Sequence, residues 1–242
     1  MKQDDSNTWL SGSEQAAAYV STADIIVVER RTTLRLLGDI FGYHFGEKKG
    51  LRVLDLGCGD GFITEAMKRR FPDNAYCLLD GSADMLELAR GRLGGAEVSF
   101  VQQTFEEYVV TPPQEQRYDC VYSSNAIHHL DLDGKSQVYS KVLRELDFGG
   151  LFVNIDVVLS ATRESERWQH NMWRDWINQN LKRIGRTDQL GKYDDLPGVA
   201  RRRPENKPGK LVDQLALLER IGFRDVDCFY KYGVFAMFGG TK

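Results

Sequence analysis

Short aliphatic runs alternate with amphipathic segments across about a hundred residues, and this alternation leaves few architectures open. Leu51–Leu56, Ala75–Asp80, Val98–Gln102, Tyr118–Ser123 and Leu151–Val157 read as buried strands. Phe62–Phe71, Ala83–Leu93 and Lys135–Leu146 read as the helices between them. Strands that are apolar throughout and separated by helices imply an α/β fold, a parallel sheet covered on both faces. Ahead of them, a helical pattern from Asp24 puts Leu34, Leu37, Ile40 and Phe41 on one face, with Ser21 and Asp24 spaced as a capping box. Residues 1–24 read as an N-terminal arm, and 25–158 as the core domain.

Beyond Val158 the pattern changes. Glu164–Ile184 reads as one helix with Trp168, Met172, Trp176, Ile177, Leu181 and Ile184 near its buried face. Gly191–Lys210, rich in Pro, Gly and Arg, reads as loop. Residues 159–210 therefore form a helical insert or lid, and 211–242 return to the core domain as a helix, about Leu211–Ile221, and two strands. Those strands, Phe223–Tyr230 and Gly233–Gly239, are joined by Lys231 and Tyr232.

Lys plus Arg is 32 and Asp plus Glu is 35, a net charge of −3, which gives no bulk attraction for nucleic acid or an anionic membrane. The longest aliphatic run, Ile25–Val28, is far short of the roughly 20 residues a spanning helix needs. The first thirteen residues are polar and lack the apolar stretch of a signal peptide. Cys58, Cys77, Cys120 and Cys228 form no CxxC pair, so no metal site is expected, and reduced cysteines suggest a cytoplasmic protein.

The most informative segment is Val53-Leu54-Asp55-Leu56-Gly57-Cys58-Gly59-Asp60-Gly61, between an expected strand and helix. Its glycines admit positive φ and let a ligand touch the backbone. Asp80 ends the following strand, where an acid reaches ribose hydroxyls. Loop and acid together point to a nucleoside. A dinucleotide is disfavoured, because Phe62 fills the sixth position of GxGxxG and Asp55 would repel pyrophosphate. A carboxylate there suits a cationic ligand, an ammonium or a sulfonium.

These residues resemble motif I of the class I S-adenosylmethionine-dependent methyltransferases, hh-(D/E)-h-G-x-G-x-G. Asp80-Gly81-Ser82-x-x-Met85 is similar to that family's second motif, and Tyr118–Leu130 (YDCVYSSNAIHHL) to its fourth. Leu146–Asp156 resembles the segment before strand five, with Asp147-Phe148 in place of the usual residue–proline pair. The resemblance implies a Rossmann-like, mostly parallel seven-stranded sheet, an antiparallel C-terminal edge hairpin and a helical insert after strand five. It implies S-adenosylmethionine as cofactor. Gly57, Cys58 and Gly59 would meet its methionine portion, Asp55 its ammonium, Asp80 and Gly81 its ribose, and Thr104 and Phe105 its adenine edge. Related proteins often carry an acid at the position of Thr104, for which Glu106 or Glu107 offers a substitute. Ser124 lies near the sulfonium. Met85 suits either core or ligand wall, and Arg30 either the cofactor carboxylate or an ordinary solvated helix surface.

His128 and His129 are candidate general bases, or side chains that only shape the pocket floor. Trp173, off the expected buried face, and His170 are candidates to meet the acceptor. Arg201, with Arg202, Arg203, Lys207 and Lys210, either holds an anionic acceptor or is a solvated loop. The expected acceptor is a small molecule methylated on O or N; nucleic acid is disfavoured, and the protein is a monomer or a homodimer. Carboxy-S-adenosylmethionine synthases, which use S-adenosylmethionine and prephenate, resemble the chain beyond the core, but carry Ser where Gly59 stands. A non-catalytic S-adenosylmethionine-binding partner protein is the alternative of another class.

Overall fold

The computed structural model describes residues 13–113 and 117–242. In chain order the helices and strands are α1 (Ser13–Ile26), α2 (Arg30–Phe45), β1 (Arg52–Leu56), α3 (Phe62–Arg70), β2 (Ala75–Asp80), α4 (Ala83–Arg92), β3 (Val98–Gln102), α5 (Phe105–Val110), β4 (Tyr118–Ser124), α6 (Leu132–Glu145), β5 (Leu146–Val157), α7 (Arg163–Arg183), α8 (Leu196–Arg202), α9 (Leu211–Ile221), β6 (Arg224–Tyr232) and β7 (Phe235–Thr241). A 3-10 turn at Ile127–His129 follows β4.

Among the described residues there is a seven-stranded sheet in the order β3-β2-β1-β4-β5-β7-β6. The first five strands pair in parallel, and β7 runs antiparallel between β5 and β6. Chain order reverses between β1 and β4, the switch point at which open α/β sheets leave a crevice at the carboxyl ends of their strands. Alternation along β1 fixes what faces that crevice. Leu54 and Leu56 join the core layer that includes Tyr139, Val142 and Leu218, while Val53 joins the layer that includes Leu37, Phe41 and Met67. Asp55, of the same parity as Val53, turns toward α3 and meets Thr64 there.

Several expectations are corrected. Of the expected N-terminal arm, residues 1–12 lie outside the described residues, whereas 13–24 belong to α1. Ser21 and Asp24 therefore lie within a helix and form no capping box. The Asp24 carboxylate instead binds Arg30 and Arg31, each at 2.8 Å. The α1–α2 corner turns at Glu29, whose φ is 53°. Thr104 and Glu107 close a capping box on α5, a helix the sequence reading omitted although T-x-x-E is its signature. Leu196–Arg202 is helical where loop was expected; Pro197 sits in its first turn, where a missing N–H costs nothing. The final hairpin turns at Gly233-Val234, not at Lys231-Tyr232, because Gly233 takes φ 56°.

The buried face of α7 is rotated from expectation. It carries Gln169, Trp173, Ile177, Asn180 and Leu181, while Trp168 is 49% exposed. The polar pair is what misled the pattern. Gln169 accepts from Ser160 at 2.7 Å and Asn180 donates to the Asp24 carbonyl at 2.9 Å, so both are buried with partners. Trp173 and Ile177 pack with Ile25, Val28, Val234 and Phe235 in a third apolar layer joining α7 to the α1–α2 corner.

Candidate active site

The residues after β1 begin the site. Gly57, Gly59 and Gly61 take φ of 77°, 54° and 74°, alternate left-handed positions that fold the loop back on itself. The amides of Gly57 and Cys58 both donate to the Leu79 carbonyl, at 2.7 and 3.0 Å, which fastens the loop to the end of β2. At Gly57 a Cβ would lie 2.4 Å from Ala126 Cβ. At Gly59 a Cβ would meet nothing within 4 Å, because the backbone there faces open cavity. Phe62 packs under the Arg30 guanidinium, 3.7 Å from the ring centroid, and both line that cavity.

Asp80 is buried, with one oxygen accepting from Gly59 N and the other from Ser82 N, both at 2.8 Å. A carboxylate has about four lone-pair sites, so two remain for a ligand hydroxyl pair. Burial raises its pKa, while the two amides oppose the rise. Asp55 is 2% exposed and accepts from Thr64 Oγ1 at 2.6 Å. Burial pushes its carboxyl up to about 7, and the Thr64 bond pulls the other way.

The cavity has a volume of about 870 Å3, toward the upper end of the roughly 300–1,000 Å3 of small-molecule sites. Its wall brings together Arg30, Asp55, Gly57, Cys58, Gly59, Asp80, Gly81, Met85, Thr104, Phe105 and Ser124. Neither Glu106 nor Glu107 reaches it; the Glu107 carboxylate accepts from the Thr104 amide, and the Glu107 amide donates to the Thr104 hydroxyl. Arg30 is already bonded to Asp24, so an incoming carboxylate would share it. An open backbone cradle at Gly59, a ribose-competent acid and a buried carboxyl suited to an ammonium fit S-adenosylmethionine.

At the other end, His128 Nδ1 lies 2.6 Å from Oδ1 of Asp156, a residue 2% exposed at the end of β5. His129 Nδ1 lies 3.0 Å from the Glu205 carbonyl, and burial presses its pKa down to about 4. The two rings are 4.1 Å apart, and both line the cavity. His170 and Trp173 also line it, and burial lowers the His170 pKa. The Trp173 indole is a fixed wall: it donates to the Ile26 carbonyl at 2.8 Å and meets Phe235 edge-on.

Arg201 departs from expectation. It is exposed, pairs with Glu166 at 3.4 Å and is not part of the wall. Arg202 pairs with Asp195, and it is Arg203 that reaches the cavity, beside Glu205 and Asn206. Arg203 follows the last residue of α8, where the backbone turns extended (φ −75°, ψ 120°) and leads into the return segment that lines the cavity. Sequence reasoning also missed Asp156. A lone acid ending the fifth strand was the available signal, of the same kind as Asp55 and Asp80 on earlier strands.

Residues 53–150 match the methyltransferase domain family. A malonyl-[acyl-carrier protein] O-methyltransferase of Ilyobacter polytropus is 30% identical over 106 residues, 43% of this chain and 37% of that protein. A carboxy-S-adenosyl-L-methionine synthase of Staphylococcus epidermidis is 20% identical over 232 residues, 94% of each chain. Apart from that synthase, the matches span less than half the length of these curated relatives. An O-methyltransferase family protein from Burkholderia thailandensis superposes with a TM-score of 0.67 at 12% identity, over all of this chain and 64% of that one. Residues 53–150 thus resemble a methyltransferase domain, and the fold around them is one shared with methyltransferases of known structure.

Proposed function

We propose that this protein transfers the methyl group of S-adenosylmethionine to an oxygen or nitrogen of a small-molecule acceptor. The observation that carries the reading is the His128–Asp156 pair, whose histidine lines the same cavity as the glycine loop. Asp156 accepts the Nδ1 proton and selects the tautomer whose Nε2 carries a lone pair. Nε2 then takes the proton of an acceptor hydroxyl or amine as that atom attacks, and the buried carboxylate stabilises the imidazolium. The bound cofactor supplies an electrophilic methyl on a sulfonium. His129, held neutral, shapes the floor and stores no proton at pH 7.

Residues 159–210 act as the lid. Trp173 and Phe235, packed edge to face, give an apolar wall for the acceptor, and Arg203 supplies a guanidinium at the mouth for an acceptor anion. Asp55, Asp80 and the glycine loop hold the cofactor, with Thr104 and Phe105 at its base.

The test is incubation with methyl-labelled S-adenosylmethionine and a panel of phenols, carboxylates and amines, comparing the wild type with His128→Ala. Label transfer lost in the variant, with cofactor binding kept, is the expected result. Equal transfer by both would remove His128 from the chemistry. Full-length similarity to a carboxy-S-adenosyl-L-methionine synthase supports a second reading. Mass spectrometry of the copurifying nucleoside separates the two: a species heavier than S-adenosylmethionine by one carboxyl group favours the synthase. Cofactor bound, with neither product formed, favours a non-catalytic binder.

A further inference from the structure

We infer that Lys135 is a positioning residue that fastens the end of the insert to the histidine turn and so sets the acceptor end of the cavity. This rests on the acceptor end being where the methyltransferase reading puts it. Lys135 lies in α6 and is 1% exposed. Burying an ammonium is expensive unless its protons are well bonded. Its protons go to two carbonyls far apart in the chain. One is that of Leu130, directly after the Ile127–His129 turn, and the other is that of Lys207, at 2.8 Å, in the last loop of the insert.

The same two segments are stitched together twice more. Lys207 N donates to the His128 carbonyl at 2.8 Å, and His129 Nδ1 bonds the Glu205 carbonyl at 3.0 Å. Four backbone carbonyls, one backbone amide, the His129 ring and the Lys135 ammonium thus join 205–207 to 128–130. Arg203, Glu205, Asn206 and Pro208, all from this return segment, line the cavity. A polar side chain that pays for burial by bonding only local backbone would be replaceable; one that bonds two elements ties their positions together. Burial also brings the Lys135 ammonium down to about 8, while the nearby Asp156 charge works against that fall. His129 is buried at the same junction, which is why it resists protonation until about 4.

The experiment is Lys135→Met, studied with S-adenosylhomocysteine bound, by amide hydrogen exchange and by NMR titration of the histidines. At least tenfold faster exchange over 203–210 is expected. The His129 titration should move from about 4 toward its ordinary 6.5. Protection of the sheet and the affinity for S-adenosylhomocysteine should not change. Retained protection over 203–210, with His129 still titrating near 4, would overturn the inference. Should the variant not fold, the wild type decides: the Lys207 amide must exchange as slowly as strand amides, and fast exchange there refutes the clasp. Failure of S-adenosylhomocysteine to bind the wild type would count against the methyltransferase reading and leave the exchange measurement readable.

Discussion

Replacing Asp55 by asparagine should stabilise the ligand-free protein and weaken its hold on the cofactor. In the fold this carboxyl keeps its proton up to about 7, whereas its ordinary value is 3.8. The folded state therefore binds more protons than the unfolded chain between those values, so stability falls as pH rises from about 4 to 7 and is level above. At about 1.4 kcal/mol per pH unit, the stability lost through Asp55 relative to acid pH is under 2 kcal/mol at pH 5 and about 4 kcal/mol at pH 8. Asparagine has no proton to lose and can still accept from Thr64 Oγ1, so the cost disappears. Urea unfolding of both proteins at pH 5 and pH 8 measures the difference, which should widen by about 2–3 kcal/mol between the two pH values. Calorimetry with S-adenosylhomocysteine measures the other side. If its ammonium pairs with ionised Asp55, wild-type affinity should rise about tenfold from pH 6 to pH 8, with proton release, and the variant should show neither. A stability difference that is the same at both pH values would refute the reasoning, because Asp55 would then titrate as an ordinary carboxyl.

Gly59→Ala puts a methyl group into the cavity from a left-handed residue, so S-adenosylhomocysteine affinity should fall at least tenfold by calorimetry, with about 1 kcal/mol lost in unfolding experiments. Asp80→Ala should abolish measurable binding of the same ligand. His128→Ala and Asp156→Asn should each lower kcat by about 10²–10⁴-fold while cofactor affinity is unchanged, read from label transfer and calorimetry. Trp173→Phe removes the bond to the Ile26 carbonyl and should cost about 1 kcal/mol of stability, seen in the urea midpoint. Arg203→Gln should raise the KM for an anionic acceptor more than Arg201→Gln, whose exposed arginine is not part of the wall.

The sheet and the cofactor loop were legible in the linear sequence because their determinants are local. Buried strands announce themselves by continuous apolar runs, and Gly57-Cys58-Gly59 followed by Asp80 carries its chemistry in residue types at fixed spacing. The acceptor end was not legible in the same way. Asp156 meets His128 only because β5 lies beside β4 in the sheet and both end at the crevice. Arg203 rather than Arg201 reaches the cavity because it follows the end of α8, where the chain turns extended into the segment that lines the wall. The buried stripe of α7 includes Gln169 and Asn180, which hydrophobic periodicity excludes, because Ser160 and the Asp24 carbonyl are waiting to bond them. Hydrophobic period and glycine spacing are properties of neighbouring residues, so the sequence by itself determined the architecture and the cofactor cradle. Hydrogen bonds between residues 28 to 156 positions apart depend on how layers stack, so only the tertiary structure decided which histidine is paired, which arginine is free and how the insert is held.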